Sequence, residues 1–156
     1  MTIYVPTSEP VDERPHRLRG RLPVEQLVIA VDERLSREEV ARAVAAVGLT
    51  AGARMADARG LELPDADQGV HCGVLMTRVD VRPATQAGLA ALRAAAVRAG
   101  LGICESPAYA HTAVSDMDLA LSMRRTHTPD VEYAALAVYG GRKSIEDVSS
   151  VLTPAD

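Results

Sequence analysis

Apolar residues along the chain fall into two kinds of pattern. Leu27-Val28-Ile29-Ala30-Val31 and residues 133–139 are continuous apolar runs. Such runs suit strands buried on both faces of a sheet. Elsewhere the apolar residues recur at helical spacing. Ser36 stands three residues before Glu39, the capping-box spacing, and opens a helix through Val40, Ala41, Val44, Ala45 and Val47. Gly48 is expected to stop or bend that helix, with a second short helical piece over residues 51–58. Residues 84–101 carry the clearest helix, with Leu89, Leu92, Ala96 and Val97 on its apolar side and Gly100 at its end.

The remaining segments are shorter. Residues 57–69 hold Gly60, Pro64 and three Asp, and read as a loop. Residues 70–81 form the second strand region, with Val74, Met76, Val79 and Val81 as apolar points, closed by Arg82-Pro83. Gly102-Ile103-Cys104 starts a third strand that Pro107 limits. Ser115 caps a helix through Met117, Leu119, Leu121 and Met123, with Asp116 and Asp118 in its first turn. Thr128-Pro129-Asp130 is a turn. After the fourth strand, Gly140-Gly141 turns the chain, and Ser144 with Asp147 repeats the capping spacing before a final helix over residues 145–152.

Strands thus alternate with helices. The predicted fold class is α/β: a three-layer sandwich with a mixed sheet of about four strands and helices on both faces. Residues 24–156 are expected to form one domain. Residues 1–23 carry four prolines and a crowd of charges, and read as an extended arm, either a mobile tail or a segment that packs on a neighbouring subunit.

Composition narrows the function classes. The chain has no Phe, no Trp and four Tyr, so the core is built from Ala, Val, Leu, Ile and Met. A net charge of −4 argues against a large nucleic-acid footprint. The absence of a long apolar run and of a secretory signal points to a cytoplasmic protein with no membrane partner. The two cysteines, Cys72 and Cys104, lie in strand segments. They read as buried reduced thiols, with a disulfide or a catalytic thiol as the alternatives. No ligand spacing for a metal and no cofactor motif occurs.

Three places could carry chemistry. The densest polar run, residues 104–112, supplies Glu105, Tyr109, His111 and Thr112 just after a strand, where site residues of α/β folds gather. His71 could serve as a general base or could fix its loop by a hydrogen bond. Arg42, on the first helix, either points inward and holds an anion or is solvated. Gly140-Gly141-Arg142-Lys143 is either a weak anion site at a helix start or a plain turn. The main functional expectation is an enzyme acting on a small polar or anionic molecule by acid–base or hydrolytic chemistry at an amide, ester or imine. His71, Glu105, Tyr109 and His111 would be the working groups, with Arg42, Cys72 and Thr112 binding substrate. Burial would raise the pKa of Glu105 and lower that of either His. A non-catalytic ligand-binding or scaffold domain is the alternative.

The order of features from Leu27 to Leu152 resembles the DUF2000 family. The residues that carry the resemblance are the strand ending in Asp32, Gly48-Leu49, Gly52-Ala53-Arg54, Asp67, Gly69-Val70-His71, Gly73-Val74, Leu89 in the Ala-rich helix, Glu132-Tyr133 and Tyr139-Gly140. The resemblance implies a fold like that of peptidyl-tRNA hydrolase type II, often in a homo-oligomer, and peptidyl-tRNA hydrolysis is the third functional expectation. The hydrolases carry a Lys in the loop entering the first helix, where this chain reads Asp32-Glu33-Arg34-Leu35-Ser36-Arg37. Arg42 stands where family members tend to have Asn, and Glu105-Ser106 where they tend to have Asp-Phe. These departures weigh against tRNA as the partner.

Overall fold

The fold is given by a computed structural model, which describes residues 24–55, 62–71 and 77–152. The expected arm and Cys72 lie outside the described residues, as does the side chain of His111.

The first apolar run forms strand β1 (Gln26–Asp32), every residue of which is buried. Helix α1 (Arg37–Arg54) follows. Ser36 caps it, and the reciprocal bond from Glu39 completes the capping box. A short hairpin of β2 (Leu63–Pro64) and β3 (Val70–His71) leads to β4 (Arg78–Ala84). Helix α2 (Gln86–Ala99) ends at Gly100, whose φ of 66° is the left-handed conformation that glycine adopts without strain. Strand β5 (Gly102–Pro107), a 3₁₀ turn (Ala108–His111), helix α3 (Asp116–Arg124), β6 (Tyr133–Gly140) and α4 (Arg142–Ser149) complete the order.

The main sheet runs β4-β1-β6-β5. Strand β1 pairs parallel with β4 and antiparallel with β6, and β6 pairs antiparallel with β5. The sheet is therefore mixed, with β4, β1 and β5 running one way and β6 the other. Alternate residues feed two cores. Leu27, Ile29 and Val31 of β1, with Ala135, Ala137 and Tyr139 of β6, pack under Ala43, Val47 and Ala51 of α1. Val28, Ala30, Leu136 and Val138 pack on the other face under Leu89, Leu92 and Ala96 of α2 and Ile145 and Val148 of α4. The expected layers are present, and the small residues of β6 let α1 approach closely.

Several expectations change. Gly48 neither stops nor ends α1. The helix continues to Arg54, absorbing the described part of the second piece, because Val47 and Ala51 continue the buried stripe across it. The loop over residues 57–69 contains a strand, and the segment over residues 70–81 contributes two separate strands. Pro83 does not close β4. The strand continues to Ala84, whose carbonyl accepts from Glu33 N–H of the β1 side at 3.0 Å. The neighbouring Pro83 nitrogen therefore faces outward on an edge strand, where no ladder bond is lost. Helix α4 starts at Arg142, not after Ser144. The Glu25 carboxylate accepts from Arg142 N–H at 2.9 Å and takes the place of a cap. The Gly140–Lys143 turn is thus served by an anion from the chain itself.

Candidate active site at the carboxyl edge of the sheet

Strands β1, β4 and β5 all end at one edge of the sheet, and β6 begins there. Asp32, the last residue of β1, is only 4% exposed. A carboxylate this deep needs partners. It accepts from the Arg34 backbone N–H at 3.0 Å and from Arg34 Nη2 at 2.8 Å, in a forked contact that also uses Nε. Gln86 Nε2 donates to Oδ2 at 2.8 Å. Burial pushes the Asp32 carboxyl up. The Arg34 and Gln86 donors outweigh that and hold it below the usual carboxylate value. Arg34 also reaches Glu132 at 3.4 Å on the exposed side.

Gln86 opens α2 and behaves as a surrogate peptide. Besides Asp32, its Nε2 donates to the Tyr133 carbonyl at 2.8 Å, and its Oε1 accepts from Tyr133 N–H at 2.9 Å. The ladder between β1 and β6 ends at Val31 and Ala135, so these Tyr133 groups lie beyond it. The Gln86 amide supplies what the ladder does not.

Tyr133 is placed by a β-bulge. Ser106 pairs with Ala135 and Pro107 pairs with Tyr133, which leaves Ala134 without an opposite residue on β5. Strict alternation would send Tyr133 to the α1 face with Ala135, Ala137 and Tyr139. The bulge sends Ala134 there instead, and Tyr133 joins the α2 core. On that face the Arg93 guanidinium of α2 meets the Tyr133 phenol and the Glu105 carboxylate of β5. Arg93 Nε donates to Glu105 Oε1 at 2.6 Å. Burial, then the Glu105 charge, pushes the Tyr133 phenol above its ordinary pKa. Burial lowers the pKa of Arg93, and the contact with Glu105 more than reverses that.

The polar run after β5 is thus partly gathered. Glu105 sits in the cluster. Tyr109 is near enough for its charge to act on Tyr133, and its hydroxyl donates to the Asp130 carbonyl at 3.5 Å. Thr112 closes its own turn by donating to the Tyr109 carbonyl at 3.2 Å. Glu105 is an exposed residue of β5 paired with Arg93, and not set in an apolar site as expected from the sequence.

The other expected residues lie elsewhere. His71 is exposed in the β2–β3 hairpin, which forms a sheet of its own, and not buried in a site as the sequence led us to expect. Its Nε2 meets Asp65 Oδ2 at 2.9 Å, and the same carboxylate accepts from Gly69 N–H. These bonds hold Asp65 below its usual pKa, with His71 the largest cause. Arg42 points outward and pairs with Glu38 at 3.4 Å, one turn away on the same helix. Cys104 is a free, buried thiol on the α1 face beside Tyr139, and burial pushes its pKa up. Among the described residues, no three His, Cys, Asp or Glu side chains converge as a metal site requires.

Reasoning from the sequence missed Asp32, Gln86, Arg93 and Tyr133 as partners in this edge. Asp32 carried a usable signal, because a carboxylate ending an apolar run lies at the carboxyl end of a buried strand. Arg93 adjoins Leu92 on a helix with a plain apolar stripe. Gln86 and the Ala134 bulge leave no mark in the local pattern.

Comparison with known proteins adds a family and a fold. A family model described as Protein of unknown function (DUF2000) matches residues 25–153. The structure of the protein of unknown function Atu0240 from Agrobacterium tumefaciens strain C58 is similar, with a TM-score of 0.74 at 10% identity, covering 84% of this chain and 97% of that one. At that identity the likeness concerns the fold alone. No curated protein matches.

Proposed function

The chain belongs to the DUF2000 family of proteins of unknown function, and from the chemistry of its carboxyl edge we propose that it is an enzyme acting on a small polar molecule by acid–base or hydrolytic chemistry at an amide, ester or imine. The observation that carries this reading is the Glu105–Arg93–Tyr133 cluster. A carboxylate can take a proton, and a guanidinium held against it fixes its orientation. A buried phenol with a raised pKa stays protonated at neutral pH and can donate to a carbonyl oxygen. Tyr109 adds a second phenol nearby. His111, on the same turn, is the remaining proton carrier in this proposal. The reaction is taken as cytoplasmic, which the free thiol of Cys104 supports.

The test is turnover of a panel of small amides, esters and imines by the wild type and by Glu105→Gln. The expected result is activity on at least one class, reduced about a hundredfold or more in the variant. Equal activity in the variant, or none in the wild type across the panel, would sink the proposal.

A second reading is a ligand-binding or scaffold domain without catalysis. It is favoured by the way the edge carboxylates Asp32, Glu132 and Glu105 already hold arginines, Arg34 for the first two and Arg93 for the third. Structural ion-pair networks look the same. Wild type without turnover would move the weight here. A peptidyl-tRNA hydrolase II-like reading of the fold is supported by the mixed four-stranded sheet between helices. For the matching activity the assay is release of tRNA from N-acetyl-aminoacyl-tRNA. The Asp32, Glu105 and Glu132 carboxylates at the edge make a poor seat for a polyanion.

A further inference from the structure

Tyr133 enters β6 at the place where the sheet loses a strand. The register that sets Val31 opposite Ala135 would bring Glu33 opposite Tyr133. Glu33 has turned away and spends its N–H on the Ala84 carbonyl of β4 at 3.0 Å. On the β5 side it is Glu132 whose carbonyl accepts, from Ala108 N–H at 2.9 Å. Backbone groups of successive strand residues point to opposite edges, so the Tyr133 N–H and carbonyl face the gap beyond β1. Left to that gap, both backbone groups of a residue only 3% exposed would lack a partner.

Gln86 fills the gap from α2. Its amide meets the Tyr133 N–H at 2.9 Å and the Tyr133 carbonyl at 2.8 Å, and the same nitrogen donates to Asp32 at 2.8 Å. Asp32 is gripped in turn by Arg34, so the amide cannot rotate away without breaking three bonds to anchored partners. Arg93 stands seven residues further along α2, and residues at that spacing share one face of a helix. That face therefore holds Tyr133 twice, the backbone through Gln86 and the phenol through Arg93.

We propose that Gln86 is a positioning residue of the candidate site: it pins the Tyr133 backbone so that the phenol is delivered to Arg93 and Glu105. The proposal rests on the reading of that cluster as the working groups, and Gln86 acts on the chemistry only through Tyr133. A reacting group displaced by about 1 Å can lose about a hundredfold in rate. An amide that sits away from the phenol, on the backbone side of Tyr133, therefore governs turnover.

The experiment labels the full chain with carbon-13 at the tyrosine ring carbon that bears the hydroxyl. The signals of the four tyrosines are followed by NMR at neutral pH, and Tyr133→Phe assigns the one of interest. Glu105→Gln should move the Tyr133 signal in the wild-type background, since phenol and carboxylate both lean on Arg93. In Gln86→Met, which keeps the length and helix propensity of the side chain, the same change at Glu105 should leave the Tyr133 signal where it is. Gln86→Asn, one methylene short of its three partners, gives the same reading where the Met variant does not fold. On any compound that the wild type turns over, both variants should lose about a hundredfold in kcat with KM changed by less than about twofold. The proposal is overturned by a Tyr133 signal that ignores Glu105→Gln in the wild type or still answers to it in a folded Gln86 variant. It is equally overturned by an unchanged kcat in a variant whose Tyr133 signal has lost that answer. A wild type without turnover sinks the catalytic reading of the cluster, whereas the NMR result decides the pinning of Tyr133 without any substrate.

Discussion

Gln86→Leu removes three hydrogen bonds, taking away the Gln86 partner of both the Tyr133 N–H and the Tyr133 carbonyl, while Asp32 Oδ2 keeps its Arg34 donors. Unpaired groups of this kind cost about 1–3 kcal/mol each. The variant is expected to lose about 3 kcal/mol in urea unfolding, and a loss within error would show that water replaces the amide. Asp32 makes a pH prediction of definite sign. Its folded pKa lies below the ordinary 3.8, so its contribution is present above 3.8 and is lost as the pH falls through the folded value. Urea midpoints measured from about pH 6 down to about pH 3 should fall more steeply for the wild type than for Asp32→Asn. Parallel curves would remove Asp32 as the source.

At the scale of elements, the signals that could be read were local and periodic. Ser36 and Glu39 stand at a spacing with one physical use, and both bonds form. Ser36→Ala is expected to lower stability by about 1 kcal/mol, read from the thermal or urea midpoint. The continuous runs of β1 and β6 were legible as doubly covered strands because no polar residue interrupts them. Helix α3 was legible as a helix, but not which of its apolar residues face inward. Leu119 and Met123 are half-buried while Met117 and Leu121 are exposed, and the sequence does not tell them apart. Close approaches were also invisible. A methyl added at Gly102 would overlap the Tyr139 ring. Gly102→Ala should therefore cost about 1–3 kcal/mol, and a neutral result would mean that the ring swings clear.

For the whole molecule, the layering followed from alternation of elements, whereas neither the strand order β4-β1-β6-β5 nor the candidate site followed from any run of residues. Glu105 and Tyr109 were found because they sit in a polar segment after a strand. Arg93 and Tyr133 join them through contacts between α2, β5 and β6 that no local spacing encodes. His71 and Arg42 have the chemistry of site residues, yet each is engaged at its own surface position.

The bulge at Ala134 makes the sheet sensitive to arithmetic. Along β6 the layer that a side chain serves is decided by whether its distance from the strand centre is odd or even, and Ala134 changes that count by one. Deleting Ala134 would close the bulge and leave Tyr133 opposite Pro107, still on the layer of Arg93 and Glu105, whereas drawing Ala134 into an unbroken ladder would hand the phenol to the opposite layer. Pairing, as much as identity, is then part of the site's specification. The same residues in a ladder without the bulge would put Tyr133 on the α1 side and dissolve the cluster.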